Sequence, residues 1–283
     1  MNKYSFKVNS NKSVNDFLLE NVNLSLNIIN KIKKGCIFIN GKLNKNLNDA
    51  LCPNDLLEIV LPADEVNPFI KPTNHKLNIV YEDEYFMAVV KEKGMLTHTS
   101  KYSVAPTLES AVVSRFAPNP FTFRAINRLD KDTSGIVLVA KDIISASLFN
   151  SLIKKGEIKK TYSAIIVNKP KDERFIIDAP IDREKEGNIK RVVSPQGKNA
   201  ITECLSITPL TNNLYKAEIL LHTGRTHQIR VHFAYIGCPL YADELYGEKV
   251  ENKTYTLHAE KLEFIHPFTK EKLTLTAPIK IKD

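Results

Sequence analysis

The residues best suited to chemistry lie in Arg124-Ala-Ile-Asn-Arg-Leu-Asp-Lys-Asp-Thr-Ser-Gly135, a polar stretch that runs directly into the apolar Ile136-Val-Leu-Val-Ala140. Reactive groups are commonly carried on loops that a rigid strand holds in place. Asp130 sits among Arg128, Lys131 and Asp132, so its carboxylate can be held by neighbouring cations for attack on a substrate. The same residues allow a purely architectural reading, because Asp and Ser form turns and Gly135 can supply a special backbone angle. Asp130-Lys-Asp132-Thr133 also suggests the nucleophile loop of aspartyl-phosphate phosphohydrolases. That alternative is subordinate: such a loop should follow an apolar strand, whereas Arg124-Ala-Ile-Asn-Arg-Leu precedes it, and no downstream acidic pair suits Mg²⁺.

A second group of candidates is Leu220-Leu-His-Thr-Gly-Arg-Thr-His-Gln-Ile-Arg-Val-His232, where a strand ends at Thr-Gly and a helix is expected from Thr226. Arg225 stands at that corner, a position from which a guanidinium fork can hold a carboxylate or phosphate. His222, His227 and His232 match no common zinc spacing, and structural roles are expected for them. A third candidate, Tyr162 in Lys159-Lys-Thr-Tyr-Ser-Ala-Ile-Ile-Val167, opens a β run and by itself reads as an ordinary strand aromatic.

These residues need a scaffold, and the hydrophobic patterning supplies one. Strands are expected at Leu77 to Tyr81, Phe86 to Val90, Ile136 to Ala140, Tyr162 to Val167, Lys216 to His222 and Tyr255 to Phe264. Helices are expected at Thr107 to Arg115, Ile143 to Lys154 and Thr226 to Tyr235. The mixture predicts an α+β domain over 77–283, built on a large, mixed, mostly antiparallel sheet flanked by helices. Residues 1–61 read as a separate small unit. Ser13 and Ser25 can cap two short helices, Gly35 ends the second, and Asn40-Gly41 turns a hairpin before the strand Leu56 to Val60. The Pro-bearing 62–76, without periodicity, is the expected linker.

Composition bounds the function. The 283 residues are 43% hydrophobic and 25% charged, as in ordinary globular chains. No run is apolar enough to span a bilayer and the start lacks a secretory apolar core, so a cytoplasmic protein without membrane association is expected. Four scattered cysteines fit neither a disulfide framework nor a zinc knuckle. A net charge of +8 is a weak footprint of a polyanionic partner.

Two resemblances sharpen this reading. The first unit, with IKKGCIFINGK and PNDLLEIVLP, resembles the S4 RNA-binding domain, which implies that Lys31, Lys33, Lys34 and Lys42 face RNA backbone. The stretches NRLDKDTSGIVLVAK, KKTYSAIIV, LHTGRTHQIRVHFAYIGCPLYADELYG and LHAEKLEFIHP resemble, in order and spacing, the RluA-type family of RNA pseudouridine synthases. The chain departs from that pattern at Asn127, where histidine is usual, and around Glu92-Lys93-Gly94.

The second resemblance implies Asp130 as the catalytic aspartate, Arg225 as the basic residue that pairs with it, Tyr162 beneath the target base, and Arg128 in the space left by an extruded nucleotide. It implies an isomerase that needs no metal and no cofactor and no obligatory protein partner. Its partner would be structured RNA, with large-subunit ribosomal RNA favoured over transfer RNA. A non-catalytic RNA-binding protein of the same fold is the contrasting expectation, and the intact Asp130, Tyr162 and Arg225 argue against it.

Overall fold

The computed structural model describes residues 3–32, 36–100 and 106–279. In chain order it places β1 (Lys3–Lys7), β2 (Lys12–Ser13), helix α1 (Val14–Asp16, widened to a π-type coil over Phe17–Asn21), α2 (Leu26–Ile32), β3 (Ile37–Ile39), β4 (Lys42–Leu43), β5 (Ala50–Leu51) and β6 (Leu56–Val60). There follow β7 (Asn78–Glu82), β8 (Phe86–Lys91), α3 (Leu108–Phe116), β9 (Ser134–Ala140), α4 (Ile143–Lys155), β10 (Lys159–Val167), β11 (Phe175–Asp178), β12 (Ile181–Arg183) and β13 (Arg191–Val193). The chain closes with β14 (Ile201–Pro209), β15 (Leu214–Leu221), α5 (Gln228–Tyr235), β16 (Leu257–Ile265) and β17 (Lys272–Thr276).

The amino-terminal elements form a four-stranded sheet in the order β1-β6-β3-β4. Ser13 caps α1 by accepting from the Asp16 amide, and the Ser25 carbonyl accepts the first bonds of α2. Asn40 and Gly41 both take positive φ, the geometry of a primed hairpin turn. The stop at Gly35 lies outside the described residues. Strand β1 is an addition to the sequence reading, and it pairs along the whole of β6. The apolar core beneath this sheet extends into the rest of the chain, since Ile144 of α4 belongs to it. Tyr4 also donates to Asp142 and lies stacked on Phe268.

Beyond 62–76, which holds no helix or strand, nine strands form one sheet in the order β11-β14-β15-β10-β16-β9-β8-β7, with β17 attached to β16. Every pairing is antiparallel except that of β16 with β9. Strands β8 and β9 are buried on both faces, as expected of a sheet interior. Met87 and Val89 enter one core with α3 and α5, while Phe86 and Ala88 enter the other with Phe149 of α4. The expected α+β architecture is therefore present.

The parallel seam is short, matching His258 with Ser134 and Ala259 with Gly135. Gly135 has φ +118°, and a Cβ there would stand 2.3 Å from the Ala259 carbonyl oxygen. Only glycine permits both the backbone angle and the approach. Gly94 also has positive φ but has open space around it. Gly135→Ala should therefore lower stability by about 3 kcal/mol or more, against about 1 kcal/mol for Gly94→Ala, in denaturant titrations. Equal losses would show that the seam tolerates a methyl group.

Candidate active site

The loop leading into β9 is stapled before it carries any chemistry. Asn127 donates from Nδ2 to the Ile136 carbonyl at 3.0 Å and accepts from the Leu138 amide at 2.8 Å, so asparagine here ties the loop to its strand. Arg124 is held by Asp64 of the 62–76 stretch. Thr97 donates to the Leu129 carbonyl at 2.9 Å. The Lys131 carbonyl accepts from the Gly94 amide at 2.9 Å and from Nζ of Lys91 at 3.1 Å. Lys91 is fully buried, donating also to the Glu92 and Met95 carbonyls. Burial pushes its pKa down to about 8, against the pull of Asp132 and Asp130.

Asp130 and Tyr162 line the same cleft, about 460 Å³ in volume, with Arg128, Lys160, Arg225 and His227 around them. Asp130 is the one carboxylate among the lining residues. A larger cleft of about 550 Å³ beside Phe175 and Tyr235 brings together no comparable set. Tyr162 is 7% exposed. Burial first, and then the Asp130 charge, raise its phenol pKa well above the ordinary value, so it keeps its proton across the physiological range. Register places Tyr162 opposite Ala259 at a bulge between Thr161 and Tyr162, and bulges commonly re-aim a side chain at a site.

The expected pairing of Arg225 with Asp130 is not what the structure shows. Arg225 is exposed at the cleft mouth, and its Nε donates to the Asn199 carbonyl at 2.8 Å. The basic side chain nearest Asp130 among the described ion-pair contacts is the His227 imidazole, with Nε2 3.9 Å from Oδ2. His227 takes positive φ, which starts α5 two residues later than the sequence reading. Its Nδ1 meets the Tyr246 hydroxyl at 2.8 Å. Burial lowers its pKa below the ordinary histidine value, and Arg230 and Arg191 add to this while Asp130 opposes it.

The guanidinium that the sequence reading missed is Arg230. It is buried, bonded to both oxygens of Asp243 at 2.7 Å, and lies 4.3 Å from the Tyr255 ring centroid. Burial opposes its charge, but the Asp243 bonds and the charges of Asp243 and Asp130 overcome this and raise its pKa. The signal available was its place one turn after His227, on the same helix face.

The other candidates are dispersed. Arg128 is exposed at the rim and makes no hydrogen bond or ion pair among the described residues. Lys31 and Lys42 are exposed on the amino-terminal unit, away from the cleft lining, and Lys33 and Lys34 lie outside the described residues. The three histidines are engaged separately: His222 with Glu203, His227 with Tyr246, and His232 with Thr202 and the Ala179 carbonyl. Among the described residues no three His, Cys, Asp or Glu side chains are grouped to hold a metal ion, and no helix is long and apolar enough to cross a membrane.

Comparison with known proteins agrees with this architecture. Residues 85–235 match the RNA pseudouridylate synthase family model. The uncharacterized RNA pseudouridine synthase YjbO of Bacillus subtilis is 33% identical over 88% of this chain and 88% of its own length. The ribosomal large subunit pseudouridine synthase D of Buchnera aphidicola is 32% identical over 86% of this chain and 82% of its own. The solved structure of human RNA pseudouridylate synthase domain containing 1 superposes with a TM-score of 0.60 at 27% identity, covering 74% of this chain and 86% of that one. A mixed sheet with a stapled aspartate loop over a buried tyrosine is the scaffold of an RNA-modifying isomerase. The chain belongs to the RNA pseudouridine synthase family.

The lowered histidine pKa values give a test of this electrostatic picture. His227 and His232 are both held neutral chiefly by burial. Below about pH 6.5 the unfolded chain binds protons that the folded chain resists, so their contribution to stability is present above that pH and is lost as the pH falls. The melting temperature should drop between about pH 7.5 and 5.5, and His227→Gln should make the drop smaller. A drop of unchanged size in the variant would contradict the assignment of His227.

Proposed function

We propose that this chain isomerises specific uridines of large-subunit ribosomal RNA to pseudouridine, with Asp130 as the reacting carboxylate and Tyr162 beneath the target base. The observation that carries the reading is that Asp130 and Tyr162 share one cleft with a basic rim and no second carboxylate. The likeness to the ribosomal large subunit enzymes supports the choice of RNA. Residues 1–61 act in this reading as an S4-like RNA-binding module, 62–76 as the connecting segment and 77–283 as the catalytic domain.

The reaction breaks the N-glycosidic bond, turns the uracil while it stays bound, and joins its C5 to the ribose. No net oxidation occurs and no water is consumed, so the step needs positioning and charge rather than an external reagent. A stacked base cannot be reached, and extruding it costs a few kcal/mol. Arg128, exposed and without a hydrogen bond or ion pair among the described residues, is placed to occupy the vacated space. The Tyr162 ring offers a stacking platform of about 1 to 3 kcal/mol for the extruded base.

Asp130 then acts at the ribose–base bond, facing His227 directly and the buried Arg230 charge behind it. Joining C5 to the ribose releases the C5 proton and N1 gains one, so the protons balance; Tyr162, kept protonated by burial and the Asp130 charge, presents a phenol hydroxyl rather than a phenolate to the bound base. Arg225, exposed at the cleft mouth, meets a flanking phosphate, with the half-buried Lys160 further along the lining.

Carbodiimide mapping of pseudouridine in unmodified large-subunit ribosomal RNA tests this. The wild-type protein should create new labelled uridines, Asp130→Ala should create none, and both should bind the RNA with similar affinity. Tyr162→Phe should slow single-turnover formation by about a hundredfold with affinity within twofold, since it keeps the ring and removes only the hydroxyl that faces the reacting base. Equal modification by wild type and Asp130→Ala would overturn the role of Asp130. Modification of transfer RNA alone would move the substrate to that class, and binding of RNA without product from either would favour a non-catalytic protein.

A further inference from the structure

The cleft around Asp130 shares a wall residue with a second groove. Ile153, in the last turns of α4, lines both, and the groove, about 570 Å³ in volume, lies between α4 and the amino-terminal unit. One wall of that groove is Asn150, Ser151 and Lys154 of α4; the other is Asn23, Ser25 and Ile28. No carboxylate lines it. Its polar groups are neutral donors and acceptors, its cation is the exposed Lys154, and apolar side chains such as Leu19 and Leu24 form the floor.

The walls are fixed to each other. Ser147 of α4 donates to the Asn23 carbonyl at 3.4 Å. Ile144 is buried in the amino-terminal core, and Tyr4 bonds Asp142 and Ser145 at the start of the same helix. The groove is therefore formed before anything binds, and a ligand would not have to order it. A carboxylate-free groove with one exposed lysine, neutral hydrogen-bonding walls and an apolar floor suits a polynucleotide, whose phosphates, sugars and bases each find a match.

We propose that the strand of substrate RNA adjoining the target uridine runs from the Asp130 cleft past Ile153 into the groove between α4 and the amino-terminal unit. The inference rests on the isomerase reading above and extends it: the junction, as well as the lysines of the small unit, contributes to RNA binding. Because the two walls are fixed, the groove also holds that strand at a set distance from the reacting carboxylate.

The test uses the full chain and a transcript of large-subunit ribosomal RNA. Asn150→Glu and Lys154→Glu place negative charge in the groove, whereas Lys171→Glu makes the same charge change as Lys154→Glu beside the unconnected cleft at Phe175. At about 0.1 M salt the two groove variants should each weaken binding about tenfold, and Lys154→Glu should reduce the salt slope by about one, while Lys171→Glu changes affinity less than twofold. Melting temperatures identify any variant that has lost its fold. If one has, photocrosslinking from p-benzoylphenylalanine at position 151 gives the second reading, and attachment should fall within a few nucleotides of the modified uridine.

Groove variants that weaken binding no more than Lys171→Glu, or crosslinks that avoid the flanks of the modified uridine, would overturn the proposal. Pseudouridine formation by the wild-type protein is read separately. Its absence would count against the isomerase reading on this RNA, while the affinity comparison would still decide the groove.

Discussion

The site depends on a single close approach of backbone to backbone. Ala259, fully buried in β16, is paired on one side with Gly135 and on the other with Tyr162. The row continues from Gly135 to Lys91 of β8 and from Tyr162 to Ile219 of β15. The aspartate loop ends at the first of these strands, and the aromatic platform begins on the third. Gly135, where the loop enters its strand, and Tyr162 are therefore held two hydrogen-bonded strand steps apart, about 4.8 Å per step. A methyl group at Gly135 would collide with the Ala259 backbone, so the register that brings Asp130 to Tyr162 also forbids most changes to itself.

Around this row the charges are arranged in depth. Lys91 lies beneath the loop, bonded only to carbonyl oxygens, and Arg230 lies behind it, bonded to Asp243 and covered by Tyr255. Both are removed from water and cannot reach a substrate phosphate, so they act on the loop itself. Arg128 and Arg225 are exposed at the rim. The structure thus separates buried cations beside the Asp130 loop from exposed cations at the cleft rim, and the proposed function assigns RNA phosphates to the exposed set.

Much of this was legible in the sequence. Phe86 to Val90 and Ile136 to Ala140 are continuous apolar runs that only a doubly covered strand accommodates, and Asp142 and Thr107 mark the starts of α4 and α3. The loop around Asp130 and the strand of Tyr162 were recognisable from residue types and order. Strand β14, Ile-Thr-Glu-Cys-Leu-Ser-Ile-Thr-Pro, was not, because its polar alternate positions resemble a loop until β11 and β15 pair with it. The buried Arg230 was hidden in the sequence for a similar reason. Arg225 marks a visible corner, whereas Arg230 acquires its burial from Asp243, Tyr246 and Tyr255, which the fold brings from further along the chain. The groove at Ile153 was equally hidden, since it exists only where α4 meets the amino-terminal unit.

The most direct measurement is a crystal structure of the protein with an RNA fragment that carries its target uridine. The uracil should lie against the Tyr162 ring, with a carboxylate oxygen of Asp130 about 3 to 3.5 Å from the reacting ribose or base atom, and the Gly135–Ala259–Tyr162 row unchanged. A uridine bound elsewhere, or an Asp130 carboxylate turned away from the extruded nucleotide, would contradict the claim that strand register sets the catalytic geometry.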